Sequence, residues 1–366
     1  MKNILMVIGT RPEAIKLYPV LKVLHQNINF KTKVCITKQH TELLDPIILR
    51  LNIKVDYQLI NNQKVCTLSE SSAQILSQLN EILSNEKPDL VIVQGDTTTA
   101  FSSALAAFYL KIPVAHIEAG LRTNQLYSPW PEEAHRSLIA RICAFNFAPT
   151  IQAKNNLLRE GISEDRVWVV GNTAIDAVRL ACGSAVYDIK LNYIIITVTV
   201  HRRENHGERL KQICSAIREI AQSYTNVRIK FLLHPNPNVY PTVVNMLSGA
   251  ENIDLIEPID HTSFIQLLNS STFIITDSGG VQEEASYLGK PVMIIRDNTE
   301  RQEAVIEGTA IVIGTEKEKI ISSCRDMLEK PEMLAAMSKV HFSYGDGYAA
   351  ERILKVLESE LIKGMT

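Results

Sequence analysis

Three carboxylates in the first half of the chain have the type and placement that acid/base chemistry requires. Asp96 and Glu118 each follow a short apolar run, and Glu132 follows a proline-rich segment at 128–131. Carboxylates that share one cleft suit general acid and base catalysis at a neutral carbon, because burial and mutual repulsion move their pKa values apart. Asp96 has an alternative interpretation as a helix cap. We predict that all three are catalytic.

A helix start with excess positive charge follows the first apolar run. In Gly-Thr-Arg-Pro-Glu at 9–13, the threonine precedes the glutamate by three residues, which is the spacing of a capping box. Arg11 and Lys16 add cations where a helix N-terminus already favours anions. This pattern predicts phosphate recognition, with helix-start packing as the alternative.

A second anion-binding pattern stands in Thr-Asp-Ser-Gly-Gly at 276–280. Adjacent glycines let backbone N–H groups approach a ligand, and Ser278 adds a hydroxyl. Either Glu283 or Glu284, about one turn into the following helix, is placed to accept hydrogen bonds from ribose hydroxyls. The alternative is a plain strand-to-helix turn.

His201 begins a dense polar run directly after an apolar segment and is a candidate acid/base group or leaving-group binder. The histidines lack the paired spacing of a metal site, so we predict no metal. The first apolar run leads into 9–13 rather than into G-x-G-x-x-G, and the near-match at 345–350 lacks a preceding strand. We therefore predict no nicotinamide cofactor.

These residues need elements to position them, and the chain supplies short β-rich runs that alternate with longer amphipathic stretches. Such alternation predicts an α/β fold with parallel sheets and crossover helices. In open sheets of this kind, ligands bind beyond the carboxyl ends of the strands. The polar clusters come from both halves of the chain, so we predict that the active site lies in an interdomain cleft. The predicted strands are 4–8, 33–37, 90–93, 114–117, 194–200, 229–233, 273–276 and 291–295.

The length of 366 residues predicts two domains. We place the N-terminal domain, which carries the candidate acid/base carboxylates, at 1–180, and the C-terminal domain at 181–345. The less periodic stretch 181–190 is the expected hinge. Residues 346–366 are expected to form a terminal helix.

Charge and cysteine usage exclude several classes of protein. The net charge is −2, which gives no overall field to attract nucleic acid or an anionic membrane. Six cysteines are scattered singly, without the pairs of a zinc or dithiol site. The chain has no apolar run long enough for a membrane span and no signal peptide at its start, so we predict a cytoplasmic protein.

Eight ordered motifs resemble those of the UDP-N-acetylglucosamine 2-epimerase family. They are GTRPEAIK at 9–16, QGDTTTA at 94–100, HIEAGLRT at 116–123, SPWPEEAHR at 128–136, GNTAID at 171–176, HRREN at 201–205, TDSGGVQEEA at 276–285 and TERQEA at 299–304. The resemblance implies two facing Rossmann-like domains, like those of GT-B glycosyltransferases, a terminal helix that crosses back to the N-terminal domain, a homodimer, and no cofactor.

The resemblance also assigns roles to individual residues. Its catalytic residues fall on Asp96, Glu118, Glu132 and His201. Its UDP-site and substrate-site residues fall on Arg11, Lys16, Arg136, Phe264, Ser278, Gly279, Gly280, Glu284 and Arg301. The non-hydrolysing, mostly bacterial branch also binds an activating UDP-N-acetylglucosamine, through residues that match Gln39, Glu132, Arg202 and His234. The sequence departs from the family pattern at Thr41, Pro235 and Gln302, which bear on activator affinity and on the loop that carries Arg301.

The implied reaction is reversible epimerisation of UDP-N-acetylglucosamine (UDP-GlcNAc) to UDP-N-acetylmannosamine (UDP-ManNAc), which supplies precursors for surface polysaccharide. It proceeds by anti elimination of UDP to 2-acetamidoglucal and re-addition of UDP. The alternatives are a hydrolysing epimerase that releases N-acetylmannosamine, a GT-B glycosyltransferase, and a catalytically silent UDP-sugar sensor.

Overall fold

The computed structural model describes residues 1–37, 41–60, 67–182, 193–299 and 301–362, with backbone alone at 41–43. The chain divides into two compact units. The first unit is Met1–Ala177 together with Gly345–Thr366, and the second is Val178–Tyr344. The expected hinge at 181–190 lies mostly outside the described residues.

The first unit is built on a parallel sheet. Its strands are β1 (Lys2–Ile8), β2 (Phe30–Ile36), β3 (Tyr57–Gln58), β4 (Leu90–Gln94), β5 (Val114–Ile117), β6 (Phe145–Ala148) and β7 (Val167–Val169). Its helices are α1 (Arg11–Gln26), α2 (Thr41–Arg50), α3 (Leu68–Glu86), α4 (Thr98–Tyr109), α5 (Glu132–Ile142), α6 (Ile151–Arg159), α7 (Thr173–Cys182), whose last five residues belong to the second unit, and, from the chain end, α15 (Ala349–Leu361).

The second unit repeats this design. Its strands are β8 (Ile194–Thr199), β9 (Val227–Leu232), β10 (Ile253–Ile256), β11 (Phe273–Thr276), β12 (Val292–Ile294) and β13 (Ala310–Val312). Its helices are α8 (Glu208–Ser223), α9 (Tyr240–Leu247), α10 (His261–Ser270), α11 (Gly279–Tyr287), α12 (Gln302–Ile306), α13 (Lys317–Glu329) and α14 (Pro331–Met337).

The strand order of each sheet determines where a ligand can bind. The described strands run β3-β2-β1-β4-β5-β6-β7 in the first unit and β10-β9-β8-β11-β12-β13 in the second, with parallel pairing throughout. In each unit the chain first adds strands on one side of its first strand and then crosses to the other side, so that the first strand pairs with the fourth, as in doubly wound dinucleotide-binding folds. The switch points therefore lie at β1 and β4 in one unit and at β8 and β11 in the other. The α/β, Rossmann-like fold class is confirmed.

Apolar side chains pack against both faces of the sheet in the first unit. In the first unit, Ile4, Met6 and Ile8 of β1 pack in a cluster with Leu17 of α1, while Leu5 and Val7 pack in a cluster on the other side. Alternate residues of a strand point to opposite faces, so β1 must be apolar throughout to be covered twice. The resulting rigid sheet is what fixes the residues at its carboxyl edge.

The terminal helix α15 is held to the first unit by a buried carboxylate. Asp176 is fully buried, and its two oxygens accept hydrogen bonds from the backbone N–H groups of Ala349, at 3.2 Å, and Ala350, at 2.8 Å. These N–H groups belong to the first turn of α15, which has no side-chain cap of its own. Gly345 and Gly171 approach so closely that a Cβ on Gly345 would lie 3.1 Å from the Gly171 Cα atom. The glycine at 345 therefore serves packing between chain segments.

None of the helices in the described ranges is long and apolar enough to cross a membrane.

Candidate active site

Glu118 lies at the carboxyl end of β5 and is the most heavily hydrogen-bonded of the predicted catalytic carboxylates. Lys16 Nζ lies 2.7 Å from each of its oxygens, and Asn172 Nδ2 donates to Oε1 at 3.4 Å. Gln94 Nε2 donates to Oε2. Glu118 is buried and has a φ of 67°. A non-glycine residue in this left-handed region is strained, which is a frequent feature of functional sites. These donors stabilise Glu118 as a carboxylate.

Asp96 follows β4 and is paired with Arg136 of α5. Both Nε and Nη2 of Arg136 lie 2.7 Å from Asp96 Oδ2. The N-cap of α4 is Thr97, which accepts a hydrogen bond from the Ala100 N–H group. The alternative interpretation of Asp96 as a helix cap is therefore wrong. Its Oδ2 is engaged by a cation.

Glu132 and Glu133 stand side by side at the start of α5 but have different surroundings. Glu132 is half-buried, and no described residue forms a hydrogen bond or ion pair with its carboxylate. Glu133 is buried, accepts hydrogen bonds from the N–H groups of Thr123 and Asn124, and lies 3.1 Å from Arg136 Nη1. Glu133 therefore orients the arginine that holds Asp96, while Glu132 is available to a ligand.

The β1–α1 turn has the predicted cap with one difference. Thr10 Oγ1 accepts from the Glu13 N–H group at 3.5 Å, but the Glu13 carboxylate accepts from the Gly9 N–H group instead of closing a capping box on Thr10. Thr97 donates to the other Glu13 oxygen at 2.7 Å. Burial raises the pKa of Glu13 to about 7. Arg11 is exposed at the first position of α1.

In the second unit, His201 is held by a buried aspartate that follows β11. Asp277 is fully buried and accepts hydrogen bonds from the N–H groups of His201 and Arg202 and from Asn205 Nδ2. Its Oδ1 lies 3.2 Å from His201 Nδ1. Burial lowers the pKa of His201, and the negative charge of Asp277 partly offsets this effect. The carboxylate thereby orients the imidazole, as in other carboxylate–histidine pairs.

Two of the activator candidates, Arg202 and His234, contact this same cluster. The His234 ring stacks on the His201 ring with centroids 5.7 Å apart, and Arg202 Nε donates to the Asp277 carbonyl oxygen. His234 Nδ1 accepts from the Asn236 N–H group, which places the proton of a neutral ring on Nε2. Gln39, the remaining candidate besides Glu132, lies outside the described residues.

The predicted phosphate loop lies between β11 and α11. Ser278 is the N-cap residue of α11, yet its hydroxyl does not cap the helix. A Cβ on Gly280 would meet nothing within 4 Å, whereas a Cβ on Gly279 would lie 2.9 Å from Arg301 Cζ. Gly279 thus admits the Arg301 guanidinium beside the helix N-terminus. Open space at Gly280, uncapped N–H groups and a cation suit an anion.

Glu283 and Glu284 have different surroundings. Glu283 is buried, and its Oε1 lies 3.1 Å from Arg301 Nε, so it orients the arginine. Glu284 is half-buried, and its Oε1 lies 3.1 Å from His261 Nε2. Phe264 is half-buried on α10, one turn after His261. Among the described residues, Arg301 is thus paired with Glu283 and not with Glu284.

Sequence reasoning missed four residues that organise these groups: Gln94, Glu133, Asn172 and Asp277. For Glu133 and Arg136, a spacing of three residues on one helix was a usable signal. For the others no local signal exists, because their partners are distant in sequence. Across the described ranges, no group of three or more His, Cys, Asp or Glu side chains is arranged to hold a metal ion.

Comparison with known proteins identifies the family. A sequence model of the UDP-N-acetylglucosamine 2-epimerase family matches residues 22–358. The chain belongs to this family. An epimerase of that name from Yersinia pestis is 44% identical over 373 residues, which cover 98% of this chain and 99% of the relative.

Solved structures of the UDP-N-acetylglucosamine 2-epimerase family agree. The enzyme from Neisseria meningitidis, with UDP-GlcNAc bound, is 45% identical with a TM-score of 0.89, covering 98% of this chain and 100% of that one. The enzyme from Methanocaldococcus jannaschii, in complex with UDP-GlcNAc and UDP, is 38% identical with a TM-score of 0.81, covering 98% and 99%. The family resemblance predicted from the motifs is confirmed.

Proposed function

We propose that this chain is a non-hydrolysing UDP-N-acetylglucosamine 2-epimerase, which interconverts UDP-GlcNAc and UDP-ManNAc. The observation that carries the proposal is the set of three carboxylates in the first unit, with Asp96 after β4, Glu118 after the neighbouring β5 and Glu132 at the start of α5. Asp96 and Glu118 are each paired with a cation. Relatives that match along nearly the whole chain carry the epimerase name, and the Neisseria meningitidis structure has UDP-GlcNAc bound.

The proposed chemistry avoids direct inversion at carbon 2, whose proton is poorly acidic because no carbonyl is adjacent. A base removes the proton from carbon 2, and the electron pair of the broken carbon–hydrogen bond forms the double bond between carbons 1 and 2. The carbon 1–oxygen bond breaks at the same time, and its electron pair leaves on the UDP oxygen. The intermediate is 2-acetamidoglucal. UDP then adds back to carbon 1, and a proton is delivered to the other face of carbon 2.

The environments of the three carboxylates favour different proton-transfer roles. Glu118 is stabilised in the ionised form by Lys16 and by the amide donors of Gln94 and Asn172, which makes it a weaker base. Asp96 is ion-paired with Arg136. Glu132 forms no hydrogen bond or ion pair with any of the described residues. We propose that Glu132 and one of the paired carboxylates act on opposite faces of the sugar.

The second unit is proposed to bind UDP. The N–H groups at the start of α11, with Ser278 and the Arg301 guanidinium, would bind the diphosphate and stabilise it as it departs. His201, held by Asp277, would donate a hydrogen bond or a proton to the same leaving group. Phe264 would pack against the uracil and Glu284 would accept from the ribose. Arg11, exposed at the start of α1, would bind phosphate from the first unit.

Proton NMR of UDP-GlcNAc incubated with the pure enzyme tests this function. We expect anomeric signals of UDP-ManNAc to grow to a constant ratio, without free N-acetylmannosamine. Glu118→Gln should slow this conversion by on the order of 100-fold, whereas Glu70→Gln, at an exposed helix start, should not change it. Release of N-acetylmannosamine and UDP would instead assign hydrolysis, and unchanged substrate would contradict the proposal.

We further propose that a second UDP-GlcNAc activates the enzyme through Arg202 and His234. The contacts of both residues with the His201–Asp277 pair supply a physical route for coupling. Velocity should then be sigmoidal in UDP-GlcNAc, and the reverse reaction from pure UDP-ManNAc should begin only after UDP-GlcNAc is added. Hyperbolic kinetics with an immediate reverse reaction would exclude an activating site.

A homodimer is proposed from the family resemblance, and sedimentation analysis tests it.

A further inference from the structure

His261 is a histidine that no motif singled out, and it contacts the carboxylate proposed to bind ribose. Its Nε2 lies 3.1 Å from Glu284 Oε1, and the side chains of His261 and Glu284 are 15% and 13% exposed. In this geometry the imidazole N–H donates to one carboxylate oxygen. No other described residue is hydrogen-bonded to Glu284 Oε2, so that oxygen keeps its acceptor capacity.

The start of α10 holds His261 in a fixed place. Asp260 caps the helix by accepting from the Ser263 N–H group at 2.9 Å, and the Ser263 hydroxyl donates back to Asp260 at 2.6 Å. His261 is the first residue of the helix, and Phe264 follows it by three positions, which places both rings on one face. The Phe264 ring, which is proposed to pack against the uracil, and the His261 donor to Glu284 therefore come from the same capped turn of α10.

A carboxylate that can rotate binds a ribose hydroxyl weakly, because ordering its side chain opposes binding. A donor that engages Oε1 before the ligand arrives removes part of this cost. We propose that His261 is a positioning residue for the nucleotide, which holds Glu284 in the rotamer that accepts a ribose hydroxyl and thereby sets the preference for a ribose-containing nucleoside diphosphate. This inference rests on the proposed UDP site in the second unit.

The test compares UDP with 2′,3′-dideoxy-UDP, which lacks both ribose hydroxyls, by calorimetric titration. The His261→Phe variant keeps a ring but loses the donor, and we expect it to bind UDP on the order of tenfold more weakly while binding dideoxy-UDP as the wild type does. His261→Gln, which returns an N–H donor near the position of Nε2, should restore most of the UDP affinity. With UDP-GlcNAc as substrate, KM should rise in the Phe variant while kcat is kept.

A matched control is His341→Phe, which removes another histidine–glutamate pair of the second unit, with His341 Nδ1 3.3 Å from Glu307 Oε2. It should leave the affinities for both nucleotides unchanged. Glu284→Gln should itself reduce the preference for UDP over dideoxy-UDP.

Unchanged UDP affinity in His261→Phe, or equal losses for UDP and dideoxy-UDP, would overturn the positioning role while leaving the UDP site intact. Failure of the wild type to bind UDP would overturn the UDP site, and this inference with it.

Discussion

The buried carboxyl of Glu13 gives the first unit a pH-dependent stability whose size and sign follow from its surroundings. Glu13 is 1% exposed and accepts hydrogen bonds from Gly9 and Thr97, without a cation among its hydrogen-bond partners. Burial raises its pKa from 4.5 to about 7. The folded protein therefore holds this proton more tightly than the unfolded chain does. The resulting contribution to the free energy of unfolding is fully present below about pH 4.5 and is lost as the pH rises through about 7.

Glu13→Gln removes this titration. An amide oxygen can still accept from Gly9, and the amide N–H can donate to Thr97, so the folded structure should be kept. The free energy of unfolding of the variant relative to wild type should increase by about 2 to 3 kcal/mol between pH 5 and pH 8. Urea unfolding followed by tryptophan fluorescence reports on the first unit, because both tryptophans, Trp130 and Trp168, belong to it.

Glu70→Gln is the matched control. Glu70 occupies the same third helical position in the capping box of α3, but it is exposed, and hydrogen bonds from Thr67 lower its pKa. A lowered pKa contributes stability above the unfolded pKa that is lost as the pH falls, so its trend has the opposite sign. Parallel pH profiles for Glu13→Gln and wild type would refute the reasoning that burial dominates at Glu13.

Three further predictions concern positioning. Asp277→Asn should lower the pKa of His201 further, because a negative neighbour is lost, and should lower kcat by on the order of 10- to 100-fold; an unchanged His201 titration by NMR would contradict this. Gly280→Val should fold normally, because a Cβ at this position meets no protein atom within 4 Å, yet it should lose UDP affinity in calorimetry, because the side chain would obstruct the phosphate. Normal UDP binding by this variant would contradict phosphate binding by the loop at 276–280. Asp176→Ala should lower the free energy of unfolding of the first unit by about 1 to 3 kcal/mol, because two N–H groups of α15 lose their acceptor. An unchanged urea midpoint would show that these two hydrogen bonds do not stabilise the first unit.

Much of the fold could be predicted because the central strands are continuous apolar runs. The predicted segments 114–117 and 273–276 match β5 and β11 at both ends. The strands that were not predicted are short or lie away from the sheet centres, such as β3, β7 and β13. Such strands carry little periodicity, because pairing with a neighbour rather than their own sequence keeps them extended.

The sequence indicated candidate site residues one by one but did not indicate how they pair. Position after a strand indicated Glu118, yet Lys16 is 102 positions away, and only the adjacency of β1, β4 and β5 brings the two together. Lys16 was predicted to bind phosphate, and in the structure its Nζ forms an ion pair with the Glu118 carboxylate. Asp277 looked like part of a loop motif, and its role as acceptor for the His201 turn depends on the pairing of β11 with β8.

In the proposed mechanism, the carbon 2–hydrogen bond breaks by elimination, with carboxylates of the first unit as acid and base. The most direct test is to run the reaction in deuterium oxide and follow carbon 2 by NMR during the first turnovers. A proton held by a carboxylate exchanges with solvent before it returns, so newly formed UDP-ManNAc should carry deuterium at carbon 2, accompanied by traces of 2-acetamidoglucal and UDP. Product that retains protium fully at carbon 2 would contradict this account.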